Sequence, residues 1–130
     1  MELSIGVCLK KVLLVDDSSL VRNDLKRLIA SIPNLHLAGE ALDSSTAIRL
    51  IDSIMPDIII LDINLIQGNG IEVLAKINHY KPLPTVIVFT NHSENAFRKV
   101  TEKLGASYFF DKNNGIESLI DVLTKLSSSK

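Results

Sequence analysis

Short, continuous apolar segments alternate along the chain with amphipathic segments of helical spacing. Three short segments are rich in β-branched residues and predict strands buried on both faces, namely Lys11–Val15, Asp57–Leu61 and Thr85–Phe89. Leu35–Glu40 and Ala106–Phe110 are two further strand candidates. A chain of 130 residues with strands and helices in alternation indicates one α/β domain.

The amphipathic segments each place apolar residues on one stripe. The stripes comprise Val21, Leu25, Leu28, Ile29 and Ile32; Ala47, Ile51 and Ile54 after the cap candidate Asp43; Phe97, Val100 and Leu104; and Ile116, Leu119, Ile120, Leu123 and Leu126. A shorter helix is expected at Ile71–Asn78. The resulting (βα)₅ order predicts a flavodoxin-like, doubly wound parallel sheet with strand order 2-1-3-4-5, joined by right-handed crossovers.

Polar residues follow four of the predicted strands. Asp16 and Asp17 follow strand 1, Asp62 follows strand 3, Thr90 ends strand 4 and Lys112 follows strand 5. In open α/β sheets, ligands bind at the carboxyl ends of the strands, where the strand order reverses. We therefore expect these side chains to meet at one edge of the sheet.

Three neighbouring carboxylates repel one another unless a cation lies among them. Mg²⁺ suits such oxygen ligands, and a carboxylate can accept a phosphoryl group covalently. Lys112 and the Thr90 hydroxyl could then neutralise or bind phosphoryl oxygens. Taken singly, Asp16-Asp17-Ser18 could merely cap a helix, and the other residues are ordinary at strand ends. Their convergence on one edge favours a site for phosphoryl chemistry.

The matching segments together resemble the receiver domain of two-component response regulators, over about Lys11 to Leu126. They comprise Val12–Ser18 with its Asp-Asp pair, Pro56–Leu65, Gly70 before a helix, Val86–Thr90 and Gly105–Lys112. The Phe-Phe-Asp-Lys-Asn ending is similar to that of some stand-alone receivers. We expect a single receiver domain over residues 1–130, with a core of about 11–126 and a polar tail at 127–130.

The resemblance implies a role for each matching residue. Asp62 is the phosphoacceptor, Asp17 binds Mg²⁺ directly, Asp16 binds it largely through water, the backbone carbonyl of Asn64 is a further ligand, Thr90 is the switch hydroxyl, Lys112 contacts the phosphoryl group, and Phe109 is the aromatic switch residue. The phosphoryl donor would be a histidine kinase or a histidine phosphotransfer protein. The domain would catalyse only its own phosphorylation and dephosphorylation. It would control a protein partner through the helix 4–strand 5–helix 5 face, or act in a phosphorelay.

Several positions depart from the pattern of that family. Asn113 stands where a cis proline is common, which puts the following loop in doubt, and Ile66 also replaces a frequent proline. Asn91 replaces a small residue after Thr90, and His92 occupies a position that tunes phosphoryl lifetime. Leu20, just off the apolar stripe of helix 1, is a candidate contact for a kinase.

Charge and composition exclude some alternatives. The formal net charge is −1, which gives no electrostatic footprint for nucleic acid or an anionic membrane. The single cysteine, Cys8, permits no internal disulfide, and the N-terminus has no signal-peptide pattern, so we expect a cytoplasmic protein. A flavin- or nucleotide-binding protein lacks support because no glycine-rich loop follows strand 1. A phosphorylation-independent adaptor with the same fold is the main alternative.

Overall fold

The computed structural model describes residues 9–129, so Cys8 lies outside the described part of the chain. Five strands and five helices alternate along it. The strands are β1 Lys10–Val15, β2 Leu35–Ala41, β3 Ile58–Leu61, β4 Thr85–Thr90 and β5 Tyr108–Asp111; the helices are α1 Ser19–Ser31, α2 Ser44–Ile54, α3 Gly70–Ile77, α4 Asn95–Lys103 and α5 Ile116–Ser127.

The five strands form one parallel sheet in the order β2-β1-β3-β4-β5, which confirms the predicted flavodoxin-like fold. Leu61 lies opposite both Val15 of β1 and Val88 of β4. At the next pair of strands, Thr90 lies opposite Asp111. The carboxyl ends of the central strands are therefore nearly level, so the residues that follow them emerge at the same edge.

Both faces of the sheet are covered, which explains why the strand sequences are continuously apolar. Alternate strand residues enter two separate clusters. One cluster contains Leu13, Val15, Ile59, Leu61, Val86 and Val88 and packs against α2, α3 and part of α4. The other contains Val12, Leu14, Ile58, Ile60, Ile87 and Phe89 and packs against α1 and α5.

Side-chain caps begin the first three helices. The Ser18 hydroxyl accepts a hydrogen bond from the Val21 N–H, and the predicted cap Asp43 accepts one from the Thr46 N–H. Asn69 caps α3 by accepting from Glu72 N–H at 2.8 Å. Ser18 directly follows Asp17, and Asn69 ends the loop that begins at Asp62, so these caps also help to fix the loops that carry the acidic residues.

Three sequence predictions need correction at the periphery. Strand β5 begins two residues later than predicted, because Ala106 and Ser107 close the turn after α4 with backbone hydrogen bonds to Thr101 and Val86. The sequence predicts Val100 and Ile116 on apolar stripes, but both are exposed. The sequence predicts a polar tail from Ser127 onward, but Ser127 ends α5, is buried, and donates a hydrogen bond from its hydroxyl to the Thr124 carbonyl. Within residues 9–129, no helix is long and apolar enough to span a membrane.

The packing predicts a sharp contrast between two leucines. Leu74 of α3 is 0% exposed, whereas Leu20 of α1 is 71% exposed. Leu74→Ala should lower the free energy of unfolding by about 2–5 kcal/mol through lost burial and a residual cavity. Leu20→Ala should change it by less than about 0.5 kcal/mol. Urea titration followed by circular dichroism measures both values, and equal losses in the two variants would contradict the core assignment.

Candidate functional site

The backbone of each strand-end residue is fixed by the neighbouring strand. Asp16 N–H donates to the Ala41 carbonyl at 3.0 Å, and Asp62 N–H donates to the Val15 carbonyl at 2.9 Å. Lys112 N–H donates to the Thr90 carbonyl at 2.9 Å. The parallel hydrogen-bonding pattern therefore continues past the ends of the strands and fixes the backbone of three functional residues at the carboxyl edge of the sheet.

The three aspartates predicted to meet do so. One carboxylate oxygen from each of Asp16, Asp17 and Asp62 lies within 4.8 Å of the others. Asp16 and Asp62 are buried, at 3% and 5% exposure, whereas Asp17 is exposed. The cluster is therefore a half-open acidic site whose deeper members are shielded from water.

Lys112 lies among these carboxylates instead of in solvent. Its Nζ is 2.7 Å from Asp16 Oδ2 and 2.8 Å from Asp62 Oδ2. The Asp16 carboxylate also accepts a hydrogen bond from the Ser18 N–H through Oδ1, and Asp62 Oδ1 accepts one from Asn64 N–H at 3.4 Å. Both buried carboxylates are thus hydrogen-bonded, and one ammonium group links them.

The pKa shifts at this site reflect the competition between burial and pairing. Burial raises the pKa of Asp16 above its ordinary value, although Lys112 and the Ser18 N–H oppose that shift. Burial would lower the pKa of Lys112, but hydrogen bonds to Asp16 and Asp62 outweigh it and raise that pKa. Lys112 is therefore a permanent cation at neutral pH.

A divalent cation fits this donor set. One ammonium among three carboxylates leaves two formal negative charges without compensation, which is the charge that Mg²⁺ would balance. The ligands are hard oxygen atoms, and the cleft beside them has a volume of about 170 Å³. Mg²⁺ commonly keeps several waters, each of which needs roughly 30 Å³.

The cleft above the acidic cluster is lined by Asp17, Ser18, Val21, Asp62, Asn64, Asn91, His92 and Lys112. Asn91 and His92 therefore both form part of the wall of this cleft. Thr90 lies beneath them: it is fully buried, and its hydroxyl accepts a hydrogen bond from the His92 N–H at 3.1 Å. That bond connects Thr90 to the loop that carries both cleft residues.

The loop after Asp62 depends on a glycine. Gly70 N–H donates to the Ile63 carbonyl at 2.7 Å, and Asn64 pairs with Asn69 in an isolated antiparallel bridge. A Cβ atom at Gly70 would collide with the Asp62 carbonyl oxygen, which belongs to the backbone and cannot yield easily. The absence of a side chain at Gly70 allows α3 to begin directly against the Asp62 loop.

Asn113 gives the loop after Lys112 a bond that proline would lack. Its N–H donates to Asp111 Oδ1 at 2.7 Å, and this contact, followed by one from Ser93, lowers the pKa of Asp111. Within residues 9–129 the one cis peptide is Lys81–Pro82, so the Lys112–Asn113 bond is trans. The common proline is thus replaced by an Asp111-centred turn, which Gly115 N–H completes by donating to the Asp111 carbonyl at 2.7 Å.

Phe109 has a neighbour that the sequence pattern did not indicate. The ring is half-buried on β5, and the Arg98 guanidinium of α4 lies 4.5 Å from its centroid. Arg98 also donates to the Phe109 carbonyl at 3.4 Å. Eleven residues separate the pair, so only the tertiary packing of α4 on β5 could reveal this cation–π contact.

Leu20 is exposed and lies in the first turn of α1, which forms one wall of a shallow groove. The groove lies between α1 and α5, has a volume of about 220 Å³, and is lined by Val21, Asp24, Leu25, Phe89, Lys112 and Ile116. Lys112 lines this groove and the acidic cleft alike. A partner bound along the groove would therefore be adjacent to the acidic site.

Comparison with known proteins agrees with this geometry. A sequence model of the response regulator receiver domain matches residues 12–124. The chain belongs to this receiver family. The matched range falls within the predicted core of about 11–126.

Relatives and solved structures support the same assignment. The receiver domain is 36% identical over 112 residues to a protein-glutamate methylesterase/protein-glutamine glutaminase of Treponema denticola, covering 83% of this chain and 30% of that protein. It is 31% identical over 121 residues to the nitrate/nitrite response regulator NarL of Escherichia coli K12, covering 92% and 55%. The chain thus spans between about a third and about half of these relatives' lengths.

Among solved structures, the response regulator domain of Thermotoga maritima CheB is similar with a TM-score of 0.80 and 29% identity, over 92% of this chain and 93% of that one. The signal receiver domain of NarL from Mycobacterium tuberculosis is similar with a TM-score of 0.82 and 25% identity, over 95% and 99%. Both of these structures are receiver domains by name, and they share the fold of this chain.

Proposed function

We propose that this receiver domain accepts a phosphoryl group on Asp62 in the presence of Mg²⁺ and signals by a change of conformation. The supporting observation is the pairing of the Asp62 carboxylate with the Lys112 ammonium at 2.8 Å, next to two further aspartates. A buried carboxylate flanked by one fixed cation and by ligands for a second is suited to accept a group that carries negative charge.

The transfer begins from a phosphohistidine of a histidine kinase or a histidine phosphotransfer protein. An Asp62 oxygen attacks phosphorus, the P–N bond to the imidazole breaks, and the nitrogen leaves with the bonding electron pair and gains a proton from water. Asp17 would bind Mg²⁺ directly, Asp16 largely through water, and Asn64 through its backbone carbonyl. The bound cation would neutralise phosphoryl oxygens, while Lys112 exchanges an Asp62 oxygen for a phosphoryl oxygen.

The proposed switch involves Thr90 and Phe109. A phosphoryl group adds roughly −1.5 to −2 charge and strong acceptor oxygens above Asp62. The Thr90 hydroxyl, now an acceptor for His92 N–H, would turn to donate to one of them, and Phe109 would move into the space it leaves. Because Arg98 of α4 contacts the Phe109 ring, that movement would reposition α4.

Two surfaces follow from this proposal. The donor protein would bind at the α1–α5 groove beside Leu20, which is adjacent to the acidic cleft. The downstream protein would bind the face formed by α4, β5 and α5, or would receive the phosphoryl group in a relay. A cytoplasmic location is implied, since a reducing compartment suits a chain with a single cysteine.

We expect no direct binding of nucleic acid by these 130 residues, because their charge is balanced at a formal −1. Some relatives are transcriptional regulators by name, such as DegU of Brevibacillus brevis, of which this chain spans 48%. The expectation applies to the receiver domain itself and not to a longer protein that contains one.

Labelling with acetyl phosphate and Mg²⁺ tests the phosphoacceptor. We expect one phosphoryl group on Asp62 by mass spectrometry, none in Asp62→Asn, and weaker Mg²⁺ binding in Asp17→Asn, which should then need more Mg²⁺ to label. Asp57→Asn is the matched control, because Asp57 precedes β3 at the opposite edge of the sheet and should label normally. Undiminished labelling of Asp62→Asn would refute the assignment, and failure of the wild type to label would favour the phosphorylation-independent adaptor.

The switch is tested with beryllofluoride, which mimics a phosphoryl group on a carboxylate. With Mg²⁺ present, the wild type should show amide NMR shifts at Ala96–Leu104, and Thr90→Ala should lose most of them. Thr85→Ala is the matched control, since Thr85 begins the same strand that Thr90 ends. If Thr90→Ala kept the shifts of the wild type, Thr90 would not connect the site to α4.

Asn91 should restrict access to Asp62, because it is exposed and lines the same cleft as Asp62. Asn91→Ala should accelerate acetyl-phosphate labelling and later phosphoryl loss by about 2- to 10-fold each. This effect is smaller than the roughly 100-fold loss of rate that a 1 Å misplacement of the reacting groups can cause. His92→Ala serves as comparison, with a smaller effect expected. Unchanged rates for both steps in Asn91→Ala would show that the side chain does not obstruct the path.

A further inference from the structure

Arg22 lies outside the acidic cluster, but its side chain contacts the backbone of a cluster member, Asp16. Arg22 lies one turn into α1 with a side chain that is only 15% exposed. One guanidinium nitrogen, Nη1, donates to the carbonyl oxygen of Asp16 at 2.9 Å, and Nε donates to Glu40 Oε1 at 3.0 Å. The guanidinium therefore joins the loop after β1 to the end of β2.

Glu40 is itself held in place, so it can fix the guanidinium. It lies opposite Leu14 in the parallel pairing of β1 and β2, and its second carboxylate oxygen accepts from Lys26 at 3.0 Å. Burial alone would raise the pKa of Glu40, but the hydrogen bonds from Lys26 and Arg22 outweigh it and lower that pKa. Glu40 thus remains an ionised acceptor throughout the neutral range.

The bond to the Asp16 carbonyl constrains both members of the acidic pair. The Asp16 carbonyl and the Asp17 N–H belong to one planar peptide unit, so an anchor on the oxygen fixes the plane from which the Asp17 side chain extends. The Asp16 carboxylate is already fixed by Ser18 and Lys112. Asp17, in contrast, is exposed, so the position of its carboxylate depends more strongly on the orientation of its peptide.

We propose that Arg22 is a positioning residue for cation binding: it holds the Asp16–Asp17 peptide so that the Asp17 carboxylate faces the other two. This inference rests on the proposed Mg²⁺-dependent function of the acidic site. Arg22 does not touch the reacting atoms. It acts through the Asp16 backbone, and Glu40 fixes its orientation.

Lys26 provides a matched control for this role. It donates to the same Glu40 carboxylate from the same helix and carries the same charge, but it contacts Glu40 and not the Asp16 carbonyl. If Arg22 only connected α1 to β2, loss of either cation would have the same effect. If Arg22 acted only through its charge, its removal would relieve repulsion and tighten Mg²⁺ binding.

The experiment measures Mg²⁺ affinity without any phosphoryl donor, from amide NMR shifts during a Mg²⁺ titration. Arg22→Met should weaken binding about tenfold, as is typical when a residue that orients metal ligands is lost. Lys26→Met should stay within about twofold of the wild type. Arg22→Lys should fall between them, because a single ammonium cannot hold both the Asp16 carbonyl and Glu40 in the same geometry.

Two further readouts separate positioning from stability and from the chemistry. Urea unfolding should show that Arg22→Met and Lys26→Met are folded. If Arg22→Met is not folded, Arg22→Lys still tests the role of Arg22. At saturating Mg²⁺, Arg22→Met should regain most of the wild-type labelling rate. That result would show that the defect of the variant lies in its affinity for the cation.

The possible failures are distinguishable. If the wild type binds Mg²⁺ and labels on Asp62 while both Arg22 variants bind Mg²⁺ as Lys26→Met does, the positioning role is overturned and the proposed function stands. Tighter Mg²⁺ binding by Arg22→Met would likewise overturn it. If the wild type neither binds Mg²⁺ nor labels, the proposed function and the role of Arg22 fail together.

Discussion

Repulsion among three carboxylates is the constraint to which the rest of the site responds. The parallel sheet forces Asp16 and Asp62 into neighbouring positions because β1 and β3 are adjacent and nearly level at their carboxyl ends. Their compensating cation comes from β5, which is separated from β3 by β4. Only a long side chain can cover that distance, and Lys112 does so by passing the end of β4, where Thr90 lies fully buried.

The order of the strands and the identity of the acidic residues were predictable from the sequence, since both depend on local pattern. A strand buried on both faces is continuously apolar, and its first polar residue marks the edge of the sheet; Asp16 and Asp62 are such residues. The parallel topology then determines which strand ends are neighbours.

Contacts between elements were not predictable in the same way. The sequence predicts that Lys112 meets the aspartates at one edge of the sheet, but it does not show which of them pair with its ammonium group. Nor does it show that Arg98 lies over Phe109 or that Arg22 reaches the Asp16 carbonyl. Each contact depends on how far one helix or loop lies from another, and local periodicity carries no information on that distance. The exposure of Val100 has the same origin, because an apolar stripe shows which side of a helix faces inward and not how deeply the helix is buried.

Helix α4 illustrates what shallow burial allows. Of its nine residues, only Thr101 is buried and Phe97 half-buried, while the rest of the helix faces solvent. Substitutions at solvent-facing positions usually change stability by no more than about 0.5 kcal/mol. The outer surface of α4 can therefore diverge almost freely between paralogues, so that different proteins could be recognised by domains whose cores and acidic edges stay the same.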